Sequence, residues 1–242
     1  NLLNDSYMGD GNNGLKNNSS INSNILKGNS GISGVTLRSS WIRQNELNAE
    51  SGIYDVNLNQ NANLYQNTLS NTSQIYGITA DNNCNIRQNV LTSYSKMYTN
   101  SLLNGSDINQ NNIHQDSEIY NNNLDGSYIE DNTIAENSYV RGNNLTGGSY
   151  MYGNVVNSNS YLEDNTLGNS SYLYQNHLSN NSYMASNGLT DSAYMYDNTL
   201  SSESSMENNT VSNGAGIEAN EVATESSISG NTMTNNGYLY SN

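Results

Sequence analysis

Small and apolar residues alternate along this chain in a unit of eleven residues. Five successive units begin at Asn143 and read NNLTGGSYMYG, NVVNSNSYLED, NTLGNSSYLYQ, NHLSNNSYMAS and NGLTDSAYMYD. Each unit contains, twice over, a small residue, any residue and an apolar residue. Alternation with a period of two is typical of β-strands, so each unit predicts two short strands. The Asn, Gly, Asp and Ser residues between them favour tight turns.

The same frame covers the whole chain in 22 units, of which 35–44 and 122–131 are one residue short. We number the positions of a unit 1 to 11. Position 1 is Asn in 19 units, with Val35, Val56 and Ile78 as the exceptions, and position 7 is small throughout, mostly Ser. Positions 3 and 9 are apolar in every unit, so we expect them to point inward. Four such ladders argue against the disorder that low hydrophobicity alone would indicate.

An eleven-residue repeat can also form a helical supercoil, but Asn, Ser, Gly and Thr are poor helix formers. The sequence favours two units in each coil over the alternative of one. The exceptions at position 1 fall in alternate units, and so do Ala62 and Cys84 at position 7. Other residues recur at the same interval: Gln44, Gln66, Gln88 and Gln110 at position 11, and Tyr76, Tyr98, Tyr120 and later Tyr152, Tyr174, Tyr196 at position 10. Residues 22 apart should therefore be vertical neighbours about 4.8 Å apart, with a phase slip of one unit near 122–131.

The segment GIEANEV, followed by SISGNTMTNNGYLYSN, resembles the repeats of right-handed parallel β-helix proteins, in which Asn occupies a tight turn and stacks in a ladder. The rhythm of small and apolar residues also loosely resembles pentapeptide-repeat proteins. The resemblance implies an all-β fold, a parallel β-solenoid with two eleven-residue units in each coil and a right-handed path. We expect residues 1–242 to form a single solenoid domain. It is expected to be part of a longer or end-to-end stacked array, because Asn242 begins a further unit while Leu3, Ser6, Tyr7 and Met8 hold the frame at the start.

The net charge of −15 argues against partners that are polyanions. All seven Lys and Arg lie at or before Arg141, and the last 101 residues carry none against nine acidic residues. We therefore expect no nucleic-acid partner and no insertion into a membrane. The single cysteine, Cys84, cannot form an internal disulfide, and its inward position predicts a buried, unreactive thiol.

Seven consecutive units carry tyrosine at position 8, which should point outward. We interpret these residues as a candidate interaction face for lateral packing or for carbohydrate. The structural alternative is that outward tyrosine simply suits a strand. The residues are Tyr128, Tyr139, Tyr150, Tyr161, Tyr172, Tyr183 and Tyr194. Trp41 holds the same position near Arg38 and Arg43 and is a weaker candidate for a local contact patch.

No constellation of catalytic residues stands out. The Asn and Ser ladders are best interpreted as structure, since stacked side chains satisfy polar groups at each corner. The two histidines, His114 and His177, are far apart in the sequence. The pairs Glu130–Asp131 and Glu163–Asp164 are candidates for a calcium site, but a solvated acidic surface is the favoured interpretation. We therefore expect no enzyme, no cofactor and no metal.

The function that this sequence favours is a structural extracellular scaffold, the building block of a fibre, a sheath or a surface adhesin. Such a chain would associate with itself end to end or laterally, at the cell surface. Three alternatives stay open: an ice-binding solenoid, a polysaccharide-binding β-helix, and an acidic rod that mimics DNA. Pairs of outward hydroxyl residues support the first alternative, namely Thr68/Ser70, Thr199/Ser201 and Thr210/Ser212, although Asn, Glu, His and Lys interrupt the files.

Overall fold

The structure, a computed structural model, describes residues 2–3, 7–8, 14–16 and 19–240, with side chains from Ser19 onward. This part of the chain forms 44 strands of two or three residues and no helix; no described segment is a helix that is long and apolar enough to cross a membrane. The strands form four parallel sheets of eleven strands, and each strand pairs with the one four places later. The chain is a parallel β-solenoid with four strands in each coil. Ser6 and Asn242 lie outside the described residues, as do the side chains of Leu3, Tyr7 and Met8.

One unit of each coil supplies sheets A and B. Sheet A contains position 2 and its neighbours: β1 (Leu2–Leu3), β5 (Ile25–Lys27), β9 (Glu46–Asn48), β13 (Thr68–Leu69), β17 (Val90–Leu91), β21 (Asn112–Ile113), β25 (Thr133–Ile134), β29 (Val155–Val156), β33 (His177–Leu178), β37 (Thr199–Leu200) and β41 (Glu221–Val222). Sheet B contains positions 8 to 10 of the same units: β2 (Tyr7–Met8), β6 (Gly31–Ser33), β10 (Gly52–Tyr54), β14 (Gln74–Tyr76), β18 (Lys96–Tyr98), β22 (Glu118–Tyr120), β26 (Tyr139–Arg141), β30 (Tyr161–Glu163), β34 (Tyr183–Ala185), β38 (Ser205–Glu207) and β42 (Ser227–Ser229).

The other unit of each coil supplies sheets C and D. Sheet C contains β3 (Gly14–Lys16), β7 (Thr36–Arg38), β11 (Asn57–Asn59), β15 (Thr79–Asp81), β19 (Ser101–Leu103), β23 (Asn123–Asp125), β27 (Asn144–Thr146), β31 (Thr166–Leu167), β35 (Gly188–Leu189), β39 (Thr210–Val211) and β43 (Thr232–Met233). Sheet D contains β4 (Ser20–Asn22), β8 (Trp41–Arg43), β12 (Asn63–Tyr65), β16 (Asn85–Arg87), β20 (Asp107–Asn109), β24 (Tyr128–Glu130), β28 (Tyr150–Tyr152), β32 (Tyr172–Tyr174), β36 (Tyr194–Tyr196), β40 (Gly216–Glu218) and β44 (Tyr238–Tyr240).

The pairing register confirms the coil of two units. Tyr152 pairs with Tyr174 and Tyr174 with Tyr196, each two units further along the chain. The predicted phase slip near 122–131 is wrong. The residue missing from that unit is removed from a turn, and Tyr128 still pairs with Asp107 below and with Tyr150 above. The tyrosines at position 10 change sheets there, from B to D, while the path of the chain stays in phase.

The core consists of four stacks of apolar side chains, one from each sheet, supplied by positions 3 and 9 of the two units in each coil. Leu145, Met151, Leu167 and Leu173 are fully buried, as predicted. Burying one such side chain contributes roughly 1.5–3 kcal/mol, so these stacks are the main source of stability. The expectation fails only in the last described coil, where Leu239 is 49% exposed, because a residue there is covered by a neighbouring coil on one side alone.

Asparagine ladders line the inner corners, as predicted. The side-chain amide of Asn154 donates to Asn176 Oδ1 at 2.9 Å and to the carbonyl of Ile129 at 3.2 Å. The backbone N–H of Asn154 donates to the same Oδ1. Asn165, Asn176 and Asn187 repeat this arrangement. Each inner amide therefore satisfies buried donors from the coil before it, in an interior where an unpaired polar group is costly.

The turn between position 10 of one unit and position 1 of the next contains a single residue in the left-handed region, at position 11. Gln44, Gln66, Gln88 and Gln110 have φ values of 53° to 55°. Their amides also form a ladder on the surface, since each Nε2 donates to the next Oε1 at 3.1 to 3.3 Å. The predicted file of glutamine is thereby confirmed.

Candidate interaction surfaces

The seven tyrosines predicted to form one face lie on two different sheets. Tyr128, Tyr150, Tyr172 and Tyr194 form a vertical file on sheet D. Tyr139, Tyr161 and Tyr183 form a second file on sheet B. Two consecutive units belong to different sides of the coil, so their tyrosines cannot share a surface. The single face expected from the sequence is therefore replaced by two.

The tyrosines of sheet D form a plate two rings wide. Tyr152, Tyr174 and Tyr196 stack beside the first file with centroids 5.1 Å apart. Within the first file Tyr150 and Tyr172 are 5.1 Å apart and nearly parallel. All are half-buried rather than freely exposed, because each ring covers the face of the next. The plate therefore presents ring edges and hydroxyl groups to solvent.

Sheet B carries a second tyrosine stack nearer the start of the chain. Tyr54, Tyr76, Tyr98 and Tyr120 stack at position 10, with centroids 4.9 to 5.1 Å apart. Burial raises the pKa of Tyr98 and of Tyr120 above that of an ordinary tyrosine. The hydroxyl of Tyr98 donates to Gln74 Oε1 at 2.7 Å.

Arg141 joins this stack to the tyrosine file that follows it. Its guanidinium lies 5.8 Å from the ring centre of Tyr120 and 5.7 Å from that of Tyr139, within the range of cation–π attraction. Its Nη2 also donates to Glu118 Oε2 at 3.1 Å. The stacked tyrosines of sheet B are at position 10 up to Tyr120 and at position 8 from Tyr139 onward, and the Arg141 guanidinium contacts one ring of each set.

A groove runs beside the tyrosine stack of sheet B. One cleft of about 380 Å³ lies over Gly52, between Tyr54 and the turn at Glu50. The next, of about 580 Å³, lies over Lys96 and is bordered by the turn residue Tyr94 and by Tyr98. Both clefts are lined by Thr72 and Gln74, so they are continuous along the axis of the solenoid. We call them together the sheet B groove.

The patch suggested around Trp41 is built mainly by Arg43. Its guanidinium lies 5.9 Å from the Trp41 ring and 6.0 Å from the Tyr65 ring, and its Nη1 donates to the Tyr65 hydroxyl at 2.9 Å. Arg87 adds a further cation 5.6 Å from Tyr65. Arg38 is on β7 of sheet C, so the structure places it on another side of the coil.

A half-buried carboxyl, that of Asp107, marks the start of the tyrosine plate. Burial, together with the nearby charge of Glu130, raises the pKa of Asp107 from its ordinary 3.8 to about 7. Glu130 also accepts a hydrogen bond from Tyr152, and this bond is the largest cause of the raised pKa of that tyrosine. Asp107 Oδ1 is buried without a hydrogen-bond partner in the structure. The pair Glu130–Asp131 is thus on the D side, whereas Glu163–Asp164 follows sheet B, and the two do not meet.

The remaining candidates have structural environments. Cys84 is fully buried, its Sγ contacts the carbonyl of Asp81 at 3.0 Å, and burial raises the pKa of the thiol. This agrees with the unreactive thiol predicted from its position. His177 is on sheet A, and His114 directly follows β21 of the same sheet, where its Nδ1 lies 3.7 Å from Glu136 Oε2.

The sheet B groove is the feature that the repeat pattern did not reveal. Its floor is position 8 of every second unit, which reads Gly31, Gly52, Gln74, Lys96 and Glu118 before the tyrosines begin. This run of small and flexible residues is visible in the sequence only when alternate units are read separately. When consecutive units are taken as one file, this run of residues is concealed, because those units supply sheets B and D in turn.

Comparison with known proteins assigns no family to the chain. No known family matches the sequence, and no curated protein matches it. Among solved structures, the A-module of the mannuronan C-5 epimerase AlgE6 from Azotobacter vinelandii is similar with 13% identity and a TM-score of 0.38, covering 96% of this chain and 84% of that one. The pentapeptide repeat protein HetL from the cyanobacterium Nostoc has 9% identity and a TM-score of 0.38, covering 89% and 87%. The catalytic domain of a GH87 α-1,3-glucanase has 10% identity and a TM-score of 0.30, covering 97% and 63%. Likenesses of this size assign neither substrate nor activity to this chain.

Proposed function

We propose that this chain is a structural scaffold, a stiff rod that forms part of an extracellular fibre, sheath or surface adhesin. The observation that carries the proposal is that inner residues, and the outward tyrosines, stack on residues of their own type along the rod. Four parallel sheets, the inner asparagine ladders and the outward tyrosine stacks all run along one axis. Eleven coils at about 4.8 Å give a rod of roughly 50 Å.

A role in mechanics rather than catalysis agrees with how the reactive side chains are used. Serines of position 7 are fully buried and accept from backbone N–H groups, as Ser160 does from Ser138 at 3.2 Å. Nucleophiles held in this way are structural elements of the corner. We therefore assign the chain no reaction, and the chemistry of its surface is that of contact with other molecules.

Contact between copies would be lateral, through the tyrosine files of sheets B and D. Their edges and hydroxyls repeat every coil, about 4.8 Å, so two rods with parallel or antiparallel axes can match rung for rung. Association end to end stays a prediction. Sedimentation velocity should show self-association that weakens in a Tyr150→Thr, Tyr172→Thr double variant. A monomer at all concentrations would refute the lateral contact.

Immunogold labelling of intact source cells tests the scaffold proposal itself. Antibodies against the chain should decorate fibres or a sheath outside the cell, and negative-stain images of the native material should show elongated assemblies. Label confined to the cell interior would overturn the extracellular assignment. Discrete particles without any array would overturn the scaffold.

One surface favours the ice-binding alternative. The outward positions of sheet C between Asn144 and Thr234, all of them described, carry no charged or aromatic side chain; they are Asn144, Thr146, Thr166, Gly168, Gly188, Thr190, Thr210, Ser212, Thr232 and Thr234. The residues that interrupt the threonine files, His177 and Glu221, are on sheet A. Thermal hysteresis that is lost in Thr190→Lys but kept in Thr199→Lys, on sheet A, would establish this function. No hysteresis in the wild type would exclude it.

A further inference from the structure

We propose that the sheet B groove binds a neutral polysaccharide chain lying along the solenoid axis. This inference goes beyond the scaffold role, since a rod can bear load with or without a ligand. It is carried by the shape of the groove, by the groups that line it, and by one exposed aromatic residue on its rim.

The groove exists because of the side chains at position 8. Gly31 and Gly52 have no side chain and are buried, and the ring of Tyr54 leans over Gly52; Gln74, Lys96 and Glu118 continue the floor with flexible polar groups. Tyr139 then occupies the same file and closes it. From Gly31 to Glu118 there are four steps of about 4.8 Å, or roughly 19 Å. A groove of this length accommodates several sugar units in a row.

The walls offer hydrogen bonds on both sides. The tyrosine stack presents hydroxyl groups at every coil, and the Tyr98 hydroxyl is already joined to Gln74. The opposite wall is the turn, with Glu50, Thr72 and Asp116. A few polar groups that converge on a concave surface are typical of a ligand site. Hydroxyl, amide and carboxylate groups on the two walls and the floor can exchange hydrogen bonds with a chain of sugar hydroxyls.

Tyr94 is a residue whose large aromatic side chain is not required by the fold at this turn. Its φ of 63° is in the left-handed region, which a bulky side chain seldom adopts. The turn takes this conformation in every one of these coils. The same place holds Glu50 and Thr72 before Tyr94, and after it Asp116, Asn137, Asn159 and Asn181, and only these last four are residue types that tolerate the conformation well. Tyr94 is 59% exposed and its ring is outside the tyrosine stacks. A free aromatic face at the rim can pack on the apolar face of a sugar ring.

The geometry disfavours other polymers. A peptide would bind by adding a strand to an open sheet edge, but this groove crosses β10, β14, β18 and β22, each of which is paired on both sides. Nucleic acids and anionic glycans meet a net charge of −15. Within the groove, Lys96 is flanked by Asp116 and Glu118. A neutral chain is therefore the occupant that the charges permit.

Calorimetry on the full chain tests the site. The probes are the β-1,4-linked hexasaccharides of glucose and of N-acetylglucosamine, with a mannuronate hexasaccharide as the anionic comparison. We expect at least one neutral probe to bind about tenfold or more tightly than the uronate. Gln74→Tyr should weaken binding about tenfold or more, which corresponds to about 1.4 kcal/mol, because it fills the floor as Tyr139 does further along. Ser205→Tyr, in the same file beyond the groove, should leave the affinity unchanged.

A second variant keeps the test decisive if Gln74→Tyr disturbs the fold. Tyr94→Asn places at an exposed turn the residue that later coils use there, so its thermal unfolding should match the wild type while its affinity falls. No binding of either neutral probe would overturn the proposal, as would equal affinities of wild type and Tyr94→Asn. Tighter binding of the uronate, or binding of an extended peptide in place of the glycans, would also overturn it. None of these outcomes affects the scaffold proposal, which the labelling experiment tests separately.

Discussion

The two inner corners of the coil differ near the start of the rod and become alike further on. The corner before sheet A is asparagine in every coil with described side chains at this position, from Asn24 to Asn220. Among the described residues, the corner before sheet C is apolar at Val35, Val56 and Ile78 and is asparagine from Asn100 onward; Asn13, which precedes Val35 in the sequence, lies outside the described residues. The same core therefore tolerates either an apolar or a polar corner, but each type occurs as an unbroken block.

Hydrogen bonding explains why the two types do not mix. Each amide oxygen accepts from the backbone N–H and the side-chain amide of the asparagine before it, as Asn154 Oδ1 does from Asn132 at 3.1 Å in both cases. In the polar block, the side-chain amide of each asparagine therefore finds its acceptor in the asparagine of the next coil. At the boundary, the backbone N–H of Ile78 donates to Asn100 Oδ1 at 2.9 Å, so the ladder begins without an orphaned amide oxygen.

Removing one member from the middle of the polar block should have the largest effect. Asn154→Leu takes the acceptor away from two donors of Asn132, both in the buried interior, and removes the bond to the carbonyl of Ile129. We expect the free energy of unfolding to fall by about 2–4 kcal/mol. Urea unfolding followed by circular dichroism measures it.

The matched control is Val56→Leu in the apolar block, which adds one methylene to a corner without hydrogen bonds and should cost less than about 1.5 kcal/mol. Equal losses in Asn154→Leu and Val56→Leu would mean that packing rather than hydrogen bonding decides the corner.

Adding asparagine to the apolar block should cost less, by an amount that depends on position. In Val56→Asn the new amide has Val35 and Ile78 as vertical neighbours, and neither offers a side-chain acceptor, so we expect a loss of about 2 kcal/mol. Ile78→Asn extends the existing ladder, because Asn100 Oδ1 is already at hand. Its loss should be about 1 kcal/mol smaller in the same urea experiment. If Ile78→Asn lowers the free energy of unfolding more than Val56→Asn does, the explanation of the corners by hydrogen bonding between successive coils is wrong.

The sequence was sufficient to predict the repeat, the inward positions and the coil of two units. Each rests on residues whose place is dictated by burial or by a ladder. Leu145 and Met151 must be inside, and Val35, Val56 and Ile78 could share a corner only if alternate units stack. The recurrence of like residues in alternate units therefore predicts that each coil consists of two units.

Features of the outer surface were harder to predict, because no burial constraint links them to the unit. Tyr128 and Tyr139 occupy equivalent positions of consecutive units, and only the coil places them on different sheets. The apparent phase slip after Tyr120 was a change in which file carries tyrosine. The groove over Gly52 depends on missing side chains, which leave no periodic signal.

An outward file offers the next, smaller test of the rule that like stacks on like. On sheet D, Asn63 and Asn85 precede Asp107, and the tyrosines follow it. The titratable groups on the two strands that flank Asp107 are Arg87 on β16 and Tyr128 and Glu130 on β24. Its folded pKa of about 7 exceeds the ordinary 3.8, so the folded state binds more protons between these values and stability falls as the pH rises from about 4 to about 7.

Asp107→Asn, which extends the file of Asn63 and Asn85, should remove that loss. Since the carboxyl is partly screened by solvent, we expect a gain of roughly 1 kcal/mol at pH 8 and little change at pH 4. Thermal unfolding across this pH range measures it. An equal effect at both pH values would refute the raised pKa as the cause.

Cys84 provides the smallest effect, because it replaces serine in a file without changing its shape. It lies between Ala62 and Ser106 on the same half of the coil that carries the apolar corner. Its backbone N–H donates to Ser106 Oγ at 3.2 Å, and its Sγ already contacts the carbonyl of Asp81, to which a serine hydroxyl can donate. Cys84→Ser should therefore change the free energy of unfolding by less than about 0.5 kcal/mol. Cys84→Val, which puts two methyl groups in place of one sulfur at a fully buried site, should cost about 1–3 kcal/mol. A large loss in Cys84→Ser alone would show that this part of the rod requires an apolar side chain, and that its corner and its small-residue file form one apolar block.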